Sequence, residues 1–341
     1  MGNTGKLYSK SLFATFALLN SIWIFYVYLS ITSIGTFDPA KFSRIIEGTA
    51  EKPYVSRVLV PWLAKSFAFI VPKALAGQLD QAPDPIQKTF FALRAGGYDR
   101  EAFVAILIMF ISLIGFAFAQ QQFLATLGVD NRLELFFLPL IAQVFVLPFT
   151  VFFGYVYDLP QILFTTLCLT LMLRGTWGMY FGVLVFACLN KETSALLLVI
   201  FAMYFWSRLP RDKFLALFAV QVFIYGGIRA ILIYLFRNNP GSAIYFTLTN
   251  HYDQYVTYPP AILITLGFFL LPSLVIARGW SRKHPFLRSG VAILIILTAG
   301  FFLSGMPAEF RVFLDALPII TALMYVPNPK PFGYIHANQE I

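Results

Sequence analysis

Charged and ionisable side chains interrupt the apolar runs of this sequence at a few places: Asp38, Asp158, the adjacent Lys191 and Glu192, Arg229, His251 with Asp253, and Glu309 with Arg311. These residue types can do two kinds of chemistry. A carboxylate placed beside a hydroxyl can act as a general base, and oxygens from Asp158, Glu192 and Asp253 could together take a divalent cation, Mg or Mn. Lysine and arginine can hold a phosphate and stabilise the charge that develops on it. None of these residues requires a cofactor, and the divalent cation is the one candidate.

Each position also has a plain structural reading. Asp158, in Tyr157-Asp158-Leu159-Pro160, is placed to cap the helix that follows, with a proline near its first turn. Asn190-Lys191-Glu192-Thr193 could be a tight turn whose two charges neutralise one another. His251-Tyr252-Asp253 lies among Tyr245, Tyr255 and Tyr258, which fit an interfacial aromatic belt. Glu309 and Arg311 could pair at the surface, with Asp315 one turn further on. Asp38 precedes Pro39 and so marks a helix start as well as a candidate base.

The elements that must position these residues are membrane helices. Hydrophobic residues make up 59% of the 341 positions and charged ones only 12%, with a mean hydropathy of +0.74, too little polar surface for a soluble domain of this length. The net charge of +9 carries no nucleic-acid motif with it, because the lysines and arginines fall between apolar segments. Cys168 and Cys188 both sit inside apolar runs, so neither a disulfide framework nor a cysteine metal site is expected.

The run at 12–34 is long enough to cross a hydrocarbon core of ~30 Å and reads as an uncleaved signal anchor. Further spans are predicted at 102–124, 133–156, 159–173, 177–189, 194–207, 214–236, 259–277, 289–304 and 312–326, making about ten. With the N-terminus cytoplasmic, alternation places Arg132, Arg174, Arg208, Arg211, Lys213, Arg278, Arg282, Lys283, Arg288 and Lys330 on the side of Lys6 and Lys10, as the positive-inside rule requires. The candidate site residues fall on the other side. Residues 57–76 are apolar, but Pro61, Lys65 and Pro72 predict a helix lying at the interface. The segments at 159–173, 177–189 and 194–207 reach only about 20–23 Å at 1.5 Å per residue. Pinned at their inner ends by Arg174 and Arg208, they would hold Asp158, Lys191 and Glu192 at membrane depth, where charges need a partner or a wet cavity. One transmembrane domain, 1–341, is expected, with a long extracytoplasmic loop at 35–101 that contains a mobile-looking stretch at 78–85.

Several short motifs resemble those of the GT-C superfamily of integral-membrane glycosyltransferases. They are Asp38 in a long first outer loop, Pro53-Tyr54-Val55-Ser56-Arg57-Val58-Leu59-Val60-Pro61 within it, Tyr157-Asp158-Leu159-Pro160, Leu189-Asn190-Lys191-Glu192-Thr193, and Ala308-Glu309-Phe310-Arg311 before a last helix. The first loop departs from several branches in having no adjacent acidic pair. The resemblance implies an all-α, polytopic, GT-C-like fold with interfacial helices in the first loop. It also implies a location in a bacterial inner (plasma) membrane, a polyprenyl-phosphate-linked sugar donor and a glycan, lipid or protein acceptor at the extracytoplasmic face. Asp38 would be the catalytic carboxylate, activating the acceptor hydroxyl with inversion at the sugar. Arg57, Asp158, Lys191, Glu192, Arg229, His251, Asp253, Glu309 and Arg311 would bind substrate, with Lys191, Arg229 or Arg311 on the lipid phosphate. Metal is optional there.

Two other classes use the same composition. A transporter or lipid flippase would place charges at the midplane and often shows internal repeats, whereas none is visible here and the charges gather near one set of helix ends. A noncatalytic subunit of an envelope assembly would use packing faces such as Gly178-Met179-Tyr180-Phe181-Gly182.

Overall fold

A computed structural model describes residues 4–325 apart from 152, 243 and 308, with the side chains of 4–10 also left aside. Lys330 and Ala308, and the side chains of Lys6 and Lys10, therefore lie outside the described residues. The chain is all helical among those described, in the order α1 (Thr4–Ile31), α2 (Phe42–Glu47), α3 (Leu59–Phe67), α4 (Lys73–Gly77), α5 (Asp84–Leu93) and α6 (Asp99–Thr126). Next come α7 (Arg132–Val144), α8 (Val146–Thr150), α9 (Asp158–Arg174), α10 (Trp177–Asn190), α11 (Ala195–Phe205) and α12 (Arg211–Leu235). The last are α13 (Leu248–Thr257), α14 (Pro260–Ala277), α15 (Pro285–Ser304) and α16 (Leu317–Met324).

Among the described residues six helices are long and apolar enough to cross a membrane: Ser11–Ile31, Asp99–Thr126, Arg132–Thr150, Arg211–Leu235, Pro260–Ala277 and Pro285–Ser304. The other expected segments are helical but short, at 17, 14, 11 and 8 residues for α9, α10, α11 and α16. Their lengths are set by local breaks. Gly175 closes α9 in the left-handed conformation (φ 70°) that glycine adopts without a Cβ clash, and Lys191 is fully extended (φ −158°, ψ 143°), which ends α10. The apolar run near 57–76 also fails to make a straight span: Leu59–Ile70 and Lys73–Gln81 meet at a bend of 119°, at Pro72. The stretch at 78–85 is not a loose loop as expected. It forms a 3-10 turn and the start of α5, held by Arg94 on Asp80 at 2.7 Å.

Each set of helix ends is tied by its own contacts. At one end the Arg174 Nε donates to Thr126 Oγ1 (3.1 Å), the Tyr204 ring lies tilted beside His284 (centroids 6.4 Å apart), and Lys283 Nζ donates to the Leu323 carbonyl. At the other, Val58 N donates to Leu189 O (3.1 Å), Lys52 N to Pro240 O (2.9 Å) and Thr247 N to Leu303 O (2.9 Å). Between the ends, polar side chains bond across helices rather than to lipid. Gln143 Nε2 donates to Ser21 Oγ (2.7 Å) and Leu113 O (2.8 Å) while its Oε1 accepts from Asn20, tying α1, α6 and α7. Gln120 donates to Pro318 O and Thr321, and Tyr180 to Gln221. The outward faces of α12 and α14 stay apolar, with Phe223, Ile233, Leu263 and Leu271 exposed, as lipid-facing helices require.

Close packing limits size at Gly290, on α15, where an added Cβ would come 3.0 Å from Ile319 of α16. Gly290→Leu should therefore destabilise the chain by about 1–3 kcal/mol through overpacking, seen as a lower melting temperature in detergent, and Ile319→Ala in the same chain should restore part of the loss.

Candidate functional site

Residues from five parts of the chain meet at the end opposite the basic loops. Asp158 opens α9 and is fully buried. Its carboxylate does not cap the helix ahead as the sequence suggested. Oδ2 turns back to accept the Tyr155 backbone N–H at 2.9 Å, while Oδ1 lies 3.5 Å from both Lys191 Nζ and Arg311 Nη1. Lys191 also reaches Asp315 (3.0 Å), and Arg311 pairs with Glu309.

The pair Lys191 and Glu192 does not neutralise itself. Because Lys191 is extended, neighbouring side chains leave the backbone on opposite sides. Lys191 faces the two aspartates, and Glu192 takes a two-pronged bond from Arg57, through Nε at 3.0 Å and through Nη2. Asn190 anchors the turn by donating to Tyr157 O (2.8 Å) and Gln161 Oε1 (2.9 Å). Glu309 and Arg311 are paired but not at the surface as expected, since Arg311 is 5% exposed. The segment carrying them folds as a 3-10 helix against α8 and α9, so their ion pair is drawn inward.

Three tyrosines space the two arginines. Tyr54 stacks on Tyr155 (centroids 5.5 Å apart) and Tyr155 on Tyr157 (5.2 Å, nearly parallel). The Arg57 guanidinium lies over Tyr157 at 4.6 Å and Arg311 over Tyr155 at 4.2 Å, a cation–π arrangement that shields both from solvent. The Tyr157 hydroxyl also accepts from Arg57. Asp315 and Tyr155 were not among the site residues expected. Asp315 was visible only as a helical neighbour of Arg311, and nothing in the spacing singled out Tyr155.

Arg229 differs from the other cations. It lies six residues before the end of α12, about 9 Å by helical rise. Its Nη2 donates to Ser56 Oγ at 3.0 Å, while Nη1 is buried without a partner. Among the described residues it pairs with no carboxylate.

Three expected residues stand apart from this cluster. Asp38 is about half exposed and binds Lys41 (2.6 Å) and Arg44 (2.8 Å), with the Lys41 hydrogen bond holding its carboxyl below the ordinary aspartate value. It still borders the site, because the adjacent Phe37 ring packs edge-on against Tyr54. His251 is buried, with Nε2 3.0 Å from Phe301 O and 2.9 Å from Gly305 O. It fastens α13 to the end of α15 and has no contact with the cluster. Asp253 is exposed on α13. Asp158, Glu192 and Asp253 thus do not form a ligand set. Among the described residues no three His, Cys, Asp or Glu side chains gather to hold a metal, and Asp158 and Glu192 both face cations. Cavities of ≈670 and ≈770 Å³ lie elsewhere.

No family model, curated protein or solved structure matches this chain.

The cluster sets Arg57, Lys191 and Arg311 against Asp158, Glu192, Glu309 and Asp315 largely out of water, and the loss of Asp158, which faces two of these cations, leaves both short of a buried partner. Asp158→Asn keeps the shape and the bond to Tyr155 but leaves Lys191 and Arg311 with one carboxylate fewer. It should lower stability by about 3–5 kcal/mol, measured by thermal or denaturant unfolding in detergent.

Proposed function

We propose that the chain is a polytopic membrane glycosyltransferase of GT-C type. It takes a sugar from a polyprenyl-phosphate-linked donor and passes it, with inversion, to a glycan, lipid or protein acceptor at the extracytoplasmic face. In this reading ten helical passes, four of them short, carry the chain across a bacterial inner membrane. The basic helix ends face the cytoplasm, where the positive-inside rule puts them.

One observation carries the reading: beside a network of ion pairs at the outer end, Arg229 makes no ion pair among the described residues, and its Nη1 is buried without a partner. A half-buried arginine is costly in a membrane unless something anionic completes it. The phosphate of a lipid-linked sugar suits that need in charge and in geometry, because a guanidinium offers a fork of donors to phosphate oxygens. Lys191 and Arg311 are spent on Asp158, Asp315 and Glu309. Their work is to fix the frame, which narrows the earlier choice of phosphate ligand to Arg229.

In the reaction the bond from the sugar's anomeric carbon to the phosphate oxygen breaks, and the acceptor oxygen bonds to that carbon from the opposite face. The acceptor's proton passes to Asp38. That residue is a first-loop carboxylate outside the buried network, about half exposed and next to the Phe37 ring on Tyr54, so an acceptor arriving from water can reach it. Lys41 and Arg44 keep it ionised, and the leaving phosphate gains charge beside Arg229, where a fixed cation lowers the barrier.

Membranes carrying the chain should transfer radiolabelled sugar from a polyprenyl-phosphate donor. Asp38→Asn should lower that rate by roughly 10²–10⁴ while leaving folding intact, as loss of a general base does. Arg229→Ala should weaken use of the donor, and retention of full transfer by both variants would remove the proposal. Because the Asp38 carboxyl sits below its ordinary value, the carboxylate persists as pH falls through the usual aspartate range. The acid limb of kcat/KM should therefore lie below the ordinary aspartate range, and Lys41→Ala with Arg44→Ala should move it upward.

A further inference from the structure

At the end of the helices opposite the ionic cluster, a cavity of ≈770 Å³ opens between α7, α14, α16 and the turn that follows α14. Its two sides differ in chemistry. Leu138 and Ile141 on α7 and Phe145, the residue that closes it, follow one another at helical spacing and make, with Val275, an apolar wall, which runs about 10 Å along the helix axis. The far side carries Arg278, Ser281 and Arg282.

The arginines are held there by the turn itself. α14 stops at Ala277, Gly279 takes the left-handed conformation (φ 65°), and the next three residues form a 3-10 turn closed by Arg282 N on Gly279 O at 2.9 Å. Both side chains are exposed, and among the described residues neither makes an ion pair. The carboxylates on this side act on Tyr325: Glu134 accepts its hydroxyl, and the charge of Asp130 is also felt there. Two exposed positive forks stand above an apolar wall, at the level where lipid-facing helices end.

We propose that this cavity binds an anionic phospholipid of the leaflet at the basic end of the bundle. Arg278 and Arg282 take the headgroup phosphate, and one acyl chain lies along Leu138, Ile141 and Phe145. Charge complementarity selects the occupant: arginine binds phosphate through paired N–H donors, and basic pockets between membrane helices suit acidic headgroups. The volume lies in the range that holds one small ligand, enough for a headgroup and the start of one chain. The site is independent of the transfer chemistry, and its success or failure leaves that reading untouched.

The test uses the full chain in detergent, with native mass spectrometry and thermal melting in the presence of phosphatidylglycerol, phosphatidylcholine or inorganic phosphate. Phosphatidylglycerol should bind roughly 20-fold more tightly than phosphatidylcholine, which corresponds to about 1 kcal/mol from each arginine, and should raise the melting temperature. Arg278→Ala with Arg282→Ala should abolish the preference, while Arg278→Lys with Arg282→Lys should keep most of it. Ile141→Trp, which fills the apolar wall and leaves the arginines alone, should also weaken the lipid. Equal binding of the two lipids, or a preference that survives both the alanine pair and Ile141→Trp, would overturn the proposal. Inorganic phosphate that displaces the lipid and gives the same stabilisation would do so too, by showing a free-anion site.

Discussion

The buried carboxylate of Asp158 is the constraint on which the outer half of the molecule depends. A charge with no water around it survives only if opposite charges and hydrogen bonds surround it closely. Two cations and a backbone N–H do so here, and each is supplied by a different piece of chain: Lys191 by the break between α10 and α11, Arg311 by the segment before α16, and the N–H by Tyr155. Satisfying one aspartate therefore fixes the meeting point of three elements that are far apart in sequence. Asp315 and Glu309 complete the cations in turn, and the Arg57–Glu192 bond draws in the first loop.

The same logic explains why the helices around this point are short. A continuous helix from 177 to 205 would carry Lys191 and Glu192 on adjacent positions of one cylinder, about 100° apart, and could not aim them at separate partners. An extended residue at the break sends one inward to the aspartates and the other outward to Arg57. The stacked tyrosines serve a related need. They bring polarisable faces to two guanidiniums that would otherwise repel across a region with little water.

Much of this was legible in the amino-acid sequence, because membrane burial makes charges conspicuous. Asp158, Lys191, Glu192, Arg229 and Arg311 each interrupt an apolar run, so their types alone mark them, and alternation of basic loops placed them at one end. Partner choice was not legible. The alternative in which Lys191 neutralises Glu192 followed from adjacency, whereas the extended backbone at Lys191 sends the two side chains to separate partners, beside Asn190 held by Tyr157 and Gln161. The same holds for His251: its type and the tyrosines around it are legible in one dimension, whereas its bonds to two carbonyls at the end of α15, some 50 residues away, are not. The bend near Pro72 was foreshadowed by the prolines, while the ordering of 78–85 rests on Arg94, beyond any local pattern.

The 14 residues of α10 span only about 21 Å, against a hydrocarbon layer of ~30 Å. Met179 and Phe186 on α10, Met203 on α11 and Trp206 just past it are exposed, so acyl chains beside them would have to shorten their reach or tilt to cover so low a wall. In the proposed ten-pass topology the lipid would thin on this flank and bring headgroups toward the depth of the guanidinium on α12. The isoprenoid-tailed donor proposed above would then meet that guanidinium with its phosphate already lowered, with no need to be lifted out of the bilayer.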